Sequence, residues 1–366
     1  ILYIENFPVE NAGYQNRAYK WKHILFERGY TARVDTIYED KNDFDSIYQS
    51  KWNMHRFFII SMHRKLISIL SSFQFETVVV RREVLLFNDY GKLFYQKLLN
   101  SIHPNVVLDF DDNISASKNE PREIKSLFGI VMQESGSKFL DSIKLHKRFI
   151  VGSSYLKDFV LKNASHVKEC DVCIIPTCVD YQKYYYKQYF EKDRIALGWI
   201  GGVGNLSLLK TLIPILDKVS KNFPIKLIVI SGKEIKADVN FEIVNVPWDL
   251  KTEIDEMYKI DVGLMPIEND EVSKGKCGFK LIQYMGLGIV SIASGVTVNN
   301  EIIHDGVDSF TVKPGEDWQV VIEKCLSRRS EFQEIGKKAK ETIQQRYTFE
   351  ANLDKYVQFL QSNTIE

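Results

Sequence analysis

The chain has 366 residues, 45% of them hydrophobic and 26% charged, and its 48 lysines and arginines balance its 48 aspartates and glutamates. That balance leaves no global field with which to gather nucleic acid or a strongly acidic partner, and at roughly 150 residues per domain the length asks for two cores. No run of eighteen uncharged apolar residues is present, the opening ILYIE lacks a signal peptide's charged region and cleavage site, and five cysteines fit reduced thiols better than a disulfide framework, so a soluble cytoplasmic protein is expected.

In chain order the first half offers ILYI, TARVDTIY, ETVVV, NVVLDF, RFIVG and VCIIP, short β-branched or aromatic runs separated by stretches of helical period. Near-continuous apolar strands alternating with helices predict a parallel sheet covered on both faces. YIENFPVENAGYQNRAYKW reads as strand, loop and helix start, which places Arg17 near the ligand edge of the first domain or, on the other reading, on an exposed helix face. KWNMHRFFIISMHRKLISIL, residues 51–70, is the most basic amphipathic segment; it is either a domain helix with solvated cations or a face suited to anionic lipid. DFDD at 109–112 follows the strand NVVL, so Asp111 and Asp112 stand at a strand's carboxyl end, where open α/β sheets bind ligands. A divalent-metal pair, a phosphatase-type nucleophile and a solvated or ligand-lining turn are the readings open there, and the first two lack their companion residues. Cys170, Cys173 and Cys178 begin as CDVC, but side chains alternate along the strand that Cys173 opens, so no metal site is expected.

The polar, tyrosine-rich VDYQKYYYKQYFEKDR at 179–194 marks the boundary, and a second strand series follows: RIALGWI, IKLIVIS, FEIVNV, DVGLMPI and IVSIAS. LGWIGGVGNLSLLKTLIPIL runs a strand through Gly201, Gly202, Gly204 and Asn205 into a helix, a place where backbone amides and the helix dipole meet phosphate. Ser207 replaces the third glycine of the dinucleotide fingerprint, and the next strand ends at Gly232 and Lys233 without its carboxylate, so a simpler phosphate cradle or a tight turn remains. Further on, SKGKCG leads into the helix FKLIQYMGL. Leu281, Ile282 and Met285 form its packing stripe and Lys280 and Gln283 its other face. Lys276 and Lys280 beside the amides of that first turn suit a diphosphate; the plainer reading is a basic surface turn.

GWIGGVGNLSLL, IKLIVIS, VPWDL, DVGLMPI, SKGKCGFKLIQYMGLGIVSIASGVTVNNEIIHDGVDSFTV and RYTFEANLDKY together cover most of 194–347 and resemble, in order and spacing, the family 4 retaining glycosyltransferases of the GT-B fold. IIPTCVDYQKY resembles the motif that ends that family's first domain, and DFDDNIS and VGSSYLKDFV give a looser match in the first half. The resemblance implies an α/β chain with two doubly wound Rossmann-like domains facing a cleft: 1–185 on the acceptor side, 186–347 binding a nucleotide sugar, and a helix in 348–366 returning to the first domain. It also implies sugar transfer from a nucleotide-diphosphate sugar to a saccharide, lipid-linked or protein-linked acceptor, with no metal and no cofactor beyond the co-substrate.

On that resemblance Lys280 and Lys276 hold the phosphates with the amides of Gly202 and Gly278, while Gly201, Gly204, Asn205 and Phe279 line the donor and Arg17, Asp111 and Asp112 the acceptor side. Many members carry two glutamates on this helix, one for the sugar and one for the ribose; here those positions are Gly275 and Gln283. Gln283 is expected to reach the ribose, and Asp270, Glu271 or amides near Gly278 would have to meet the sugar. The basic pair many members place after this domain's first strand has no counterpart in GGVGNLSLL. A branch of the family has a GKCGFK-like stretch, so these departures read as a subgroup trait. A nucleotide-sugar epimerase, a pyridoxal-dependent phosphorylase or a non-catalytic sugar-nucleotide-binding protein are the alternatives on the same fold. Peripheral contact at the inner face of a membrane goes with the lipid reading of 51–70.

Overall fold

The computed structural model describes residues 1–8, 12–38, 41–86, 93–116, 124–125, 131–132 and 136–362. The chain divides into two compact units: Ile1–Thr177 with Gly275–Cys277 and Asn352–Glu366, and Cys178–Lys274 with Gly278–Ala351. Among the described residues each unit is built on a six-stranded parallel sheet, so the class is α/β with two Rossmann-like units.

The first unit contains β1 (Leu2–Ile4), β2 (Arg33–Asp35), β3 (Val78–Arg81), β4 (Val106–Phe110), a small antiparallel pair β5 (Ile124–Lys125) and β6 (Val131–Met132), then β7 (Arg148–Val151) and β8 (Val172–Ile174). Its sheet runs β2-β1-β3-β4-β7-β8. The order reverses between β1 and β3, which makes their carboxyl ends the switch point of this unit. Val78, Val79, Val80, Val107 and Leu108 are buried, which is why ETVVV and NVVLDF carry no polar alternation. The Lys51–Ser71 helix starts where Ser50 accepts the Asn53 N–H at 3.0 Å, and it buries Met54, Phe57, Phe58, Ser61, Lys65, Ser68 and Ile69. The Phe349–Gln361 helix joins this unit from Asn352 onward: Tyr356 stacks on Trp21 at 4.0 Å between centroids and shares a 2.8 Å hydrogen bond with the Tyr3 hydroxyl. Near its end the Leu360 carbonyl accepts from Thr77 Oγ1 at 2.9 Å, beside the start of β3.

The second unit contains β9 (Ile195–Ile200), β10 (Ile225–Ser231), β11 (Glu242–Pro247), β12 (Val262–Met265), β13 (Val290–Ser294) and β14 (Phe310–Val312), ordered β11-β10-β9-β12-β13-β14. Alternation along β9 feeds two cores: Leu197 and Trp199 join the layer with Leu209, Leu212 and Leu216, whereas Ala196 and Ile200 join the layer with Leu281, Ile282 and Met285. The tyrosine-rich segment packs within this unit. Tyr186 donates to the Gln333 carbonyl at 2.6 Å, Tyr189 to the Gly288 carbonyl at 3.2 Å, and buried Lys187 to the Tyr258 carbonyl at 2.7 Å. Its composition is that of a polar connector, yet Tyr186 and Tyr189 each spend the hydroxyl on a backbone carbonyl, and Tyr184 is buried.

Candidate functional site

The second sheet reverses order between β9 and β12, and there the ladder is short: β9 pairs β12 only at Leu197↔Val262 and Gly198↔Gly263. Beyond those glycines the two strands are not paired with each other, and Tyr284 enters from the Phe279–Gly286 helix. A Cβ on Gly263 would lie 2.5 Å from the Tyr284 ring, so β12 has room for it only as glycine. The Tyr284 hydroxyl accepts the Ile200 N–H at 2.8 Å, supplying the partner that the ladder does not, and burial pushes the phenol's pKa up so that it stays neutral. This bond fixes the rotation of the helix. Lys280, four residues earlier on the same face, therefore projects onto the end of β9, with its Nζ 4.7 Å from the centroid of the buried Trp199 ring.

Gly201 follows β9 and donates its N–H to the Ile230 carbonyl at 3.0 Å; a Cβ there would stand 2.5 Å from Trp199 and 2.6 Å from Lys280 Nζ. Convergence of the indole and the ammonium accounts for this glycine. Gly202 and Gly204 differ. No described atom lies within 4 Å of a Cβ built on either, and Gly202 has φ −66° and ψ 155°, a conformation open to any residue. Neither the packing of the described residues nor backbone geometry calls for glycine at these two exposed positions. Asn205 donates its N–H to the Gly202 carbonyl at 2.9 Å and closes the turn into the Leu206–Ser220 helix. Gly278, at φ +67°, is the N-cap of the Phe279–Gly286 helix; no side-chain hydrogen bond caps that turn, and the Gly278 carbonyl accepts the Leu281 N–H at 3.0 Å and the Ile282 N–H at 3.2 Å.

Gln283 is buried. Its Nε2 stands 3.4 Å from Glu253 Oε1, the Tyr184 hydroxyl hydrogen-bonds to it, and Glu253 Oε2 accepts from Trp248 Nε1 at 2.8 Å. A carboxylate thus stands beside Gln283, that of Glu253 on the Glu253–Tyr258 helix that follows β11. Sequence reasoning passed over Glu253, although VPWDLKTEIDEMY carries the signal: a helix start at the carboxyl end of a strand. Asp270 accepts the Ser273 N–H at 2.8 Å and so caps the short Glu271–Lys274 helix, and Glu271 pairs with Lys274 at 2.6 Å.

The remaining predicted residues belong to the first unit, at the carboxyl ends of β1, β3 and β4. Arg17, buried in a π-helical turn Gln15–Tyr19, puts its guanidinium on both oxygens of Asp109 and its Nη1 on the Ile175 carbonyl at 2.6 Å. Burial disfavours this charge, but Asp109 more than offsets the cost and the guanidinium's pKa lies above its ordinary value. Arg17 therefore positions Asp109 and does not line an open surface. Arg81 stands 3.3 Å from Glu5 and 3.5 Å from Asp111, Arg82 stands 3.6 Å from Asp111 and 3.2 Å from Asp112, and Thr177 donates to Asp111 at 3.1 Å. Burial would raise the Asp111 pKa, yet Arg81 and Arg82 outweigh it and hold the carboxyl down to about 2. Asp112 is more exposed and feels Lys276, which packs with this unit.

Sequence reasoning missed Glu5, Arg81 and Arg82, the cations and carboxylate that match the DFDD group. Arg82 has φ +61°, a left-handed backbone that costs a non-glycine residue about 1–2 kcal/mol and marks the end of β3 as a strained position. The Arg81 guanidinium lies against Gly13, 2.0 Å from where a Cβ would be, so a side chain there would displace it. Gly275 belongs here too: its carbonyl accepts the Asn113 N–H at 3.1 Å, and a Cβ on it would fall 2.3 Å from the Asn113 Cβ. Among the described residues no group of three or more His, Cys, Asp or Glu side chains is placed to hold a metal ion, and Cys170, Cys173 and Cys178 are not in disulfides.

No family model matches the sequence, and no curated protein does. Solved structures do match. HepE from Anabaena, crystallised with UDP and glucose, is 12% identical with a TM-score of 0.63 and covers 99% of both chains. A glycosyltransferase from Rickettsia africae is 13% identical with a TM-score of 0.63, covering 99% of this chain and 98% of its own. Sucrose-phosphate synthase from Thermosynechococcus elongatus is 10% identical with a TM-score of 0.66, covering 93% and 90%. At such identities the likeness is one of fold, and the fold is that of the GT-B proteins, two Rossmann-like units in one chain.

Proposed function

We propose that this chain is a retaining, metal-independent glycosyltransferase of family 4, in the branch with a GKCGFK-like motif, which moves a sugar from a nucleoside-diphosphate sugar to a saccharide, lipid-linked or protein-linked acceptor in the cytoplasm. The observation that carries the reading is the surface formed at the β9 end by Gly202, Gly204, the uncapped first turn at Gly278 and the Lys280 ammonium. Exposed glycines with no described neighbour at the Cβ position, beside a cation and a helix start, suit a diphosphate whose oxygens come close to the backbone. The fold likeness supports it, since HepE was also crystallised with UDP-glucose.

On this reading Lys280 and the amides near Gly202 and Gly278 stabilise charge as it develops on the leaving diphosphate, and Gln283 with Glu253 faces the ribose. Asp111 and Asp112 line the acceptor side, held by Arg81 and Arg82, and Lys276 adds positive charge beside Asp112. A non-catalytic sugar-nucleotide-binding role is favoured by one observation: Gly275, where relatives place the glutamate that meets the sugar, has no room for a side chain.

Melting the protein with millimolar UDP, GDP or ADP tests the donor site. One nucleotide should raise the melting temperature, and Lys280→Ala should remove most of that rise; no shift with any of the three overturns the assignment. Turnover of the corresponding nucleotide sugar with an acceptor panel then separates enzyme from binding protein.

A further inference from the structure

The Lys51–Ser71 helix is amphipathic in an unusual sense: its outward face is also apolar. Trp52, Ile59, Ile67, Leu70 and Phe73 are each more than half exposed, and Leu66 is exposed as well. Trp52, Ile59 and Leu66 recur every seven residues along the helix, so they lie in one row, with Arg56, His63 and Leu70 beside them, and Phe73 follows in the 3-10 turn Ser72–Gln74. The 21-residue helix gives that row a length of about 32 Å at 1.5 Å per residue. Lys51, Arg56 and Arg64 are exposed along it, and no aspartate or glutamate occurs anywhere from Lys51 to Gln74, in a chain whose total charge is balanced.

We infer that this face docks the protein on an anionic lipid bilayer, with the row of Trp52, Ile59, Leu66, Leu70 and Phe73 entering the headgroup and upper acyl region and Lys51 and Arg56 meeting lipid phosphates. Exposed apolar area of this extent on one element is unfavourable in water and is relieved by such insertion. The charge decides the partner. Two copies of the chain paired through the same row would bring only cations together, since the row has no acidic group to answer them, whereas an anionic surface complements every charge on it. Among the described residues no helix is long and apolar enough to cross a membrane, so the contact is one of lying on the surface.

Sedimentation of the full chain with vesicles tests this. It should pellet with vesicles of equal parts phosphatidylglycerol and phosphatidylcholine, less so at 1 M salt, and remain in solution with phosphatidylcholine alone. Each basic residue near the surface raises partitioning about five-fold, so Lys51→Gln with Arg56→Gln should lower it on the order of 25-fold. Ile59→Glu with Leu70→Glu should abolish it, while melting temperature and nucleotide response stay as in the parent, since both side chains point to solvent. Failure to pellet with anionic vesicles, or equal pelleting with neutral ones, overturns the inference. So does a dimer by light scattering that Ile59→Glu dissolves, which would make the row a contact between copies.

Discussion

Gly202→Ala separates what the chain needs from what a ligand needs. The new methyl meets no described atom within 4 Å, and φ −66° with ψ 155° suits alanine. The folded state therefore loses nothing, while the unfolded chain loses freedom, a gain of about 0.4–1 kcal/mol. At about 2–4 °C per kcal/mol for a unit of this size, the melting temperature should rise by about 1–4 °C. A diphosphate lying against the Gly202 amide would meet that same methyl. Loss of one charge-assisted backbone contact costs about 1.5–3 kcal/mol, or on the order of 10- to 150-fold in affinity. Isothermal titration with the nucleotide that stabilises the parent measures the second quantity and a thermal melt the first. A variant that melts as expected but binds as tightly as the parent refutes the cradle; one that melts several degrees lower refutes the open space.

Two further outcomes follow from the first unit. Gly275→Glu, which restores the residue many relatives carry, should destabilise by about 1–3 kcal/mol in urea melts and give no gain in turnover, because its Cβ would fall 2.3 Å from that of Asn113. Asp111 has a folded pKa of about 2, below its unfolded value of about 3.9, so its contribution is complete above pH 4 and is lost as pH falls from about 4 through 2. Asp111→Asn should cost about 1–3 kcal/mol at pH 7, because buried Arg81 is left with Glu5 and half-buried Arg82 with Asp112, and should flatten stability between pH 4 and 2; an unchanged acid limb would show that Asp111 is not the group.

The apolar runs in the sequence place the buried strands β3, β4, β9, β10, β12 and β13, because a strand buried on both faces leaves a local mark in composition. β5, β6 and β14 are two or three residues long and leave almost none. The site was half legible. Lys280 and the glycines after β9 follow from a local rule, strand end into helix start. The partners do not: Arg17 meets Asp109 across 92 residues and Gln283 meets Glu253 across 30. Periodicity tells which way a side chain points along its own element, but not which opposite charge the fold brings to it. Arg17 accordingly fits neither the ligand edge nor the exposed helix face that its position in the sequence offers, and is spent on Asp109. Gly275 was read as a missing glutamate and is instead a position where Asn113 leaves no room.

The glycine of β12 and the tyrosine that fills its place bear on how such a chain drifts. Gly263 admits no side chain while Tyr284 is present, and without Tyr284 the Ile200 N–H loses its acceptor. Neither residue can change alone without harm, so a descendant lineage must keep the pair or replace both in concert. Gly198 with Ile260, whose side chain lies 2.3 Å from where a Cβ would be, is bound by the same rule.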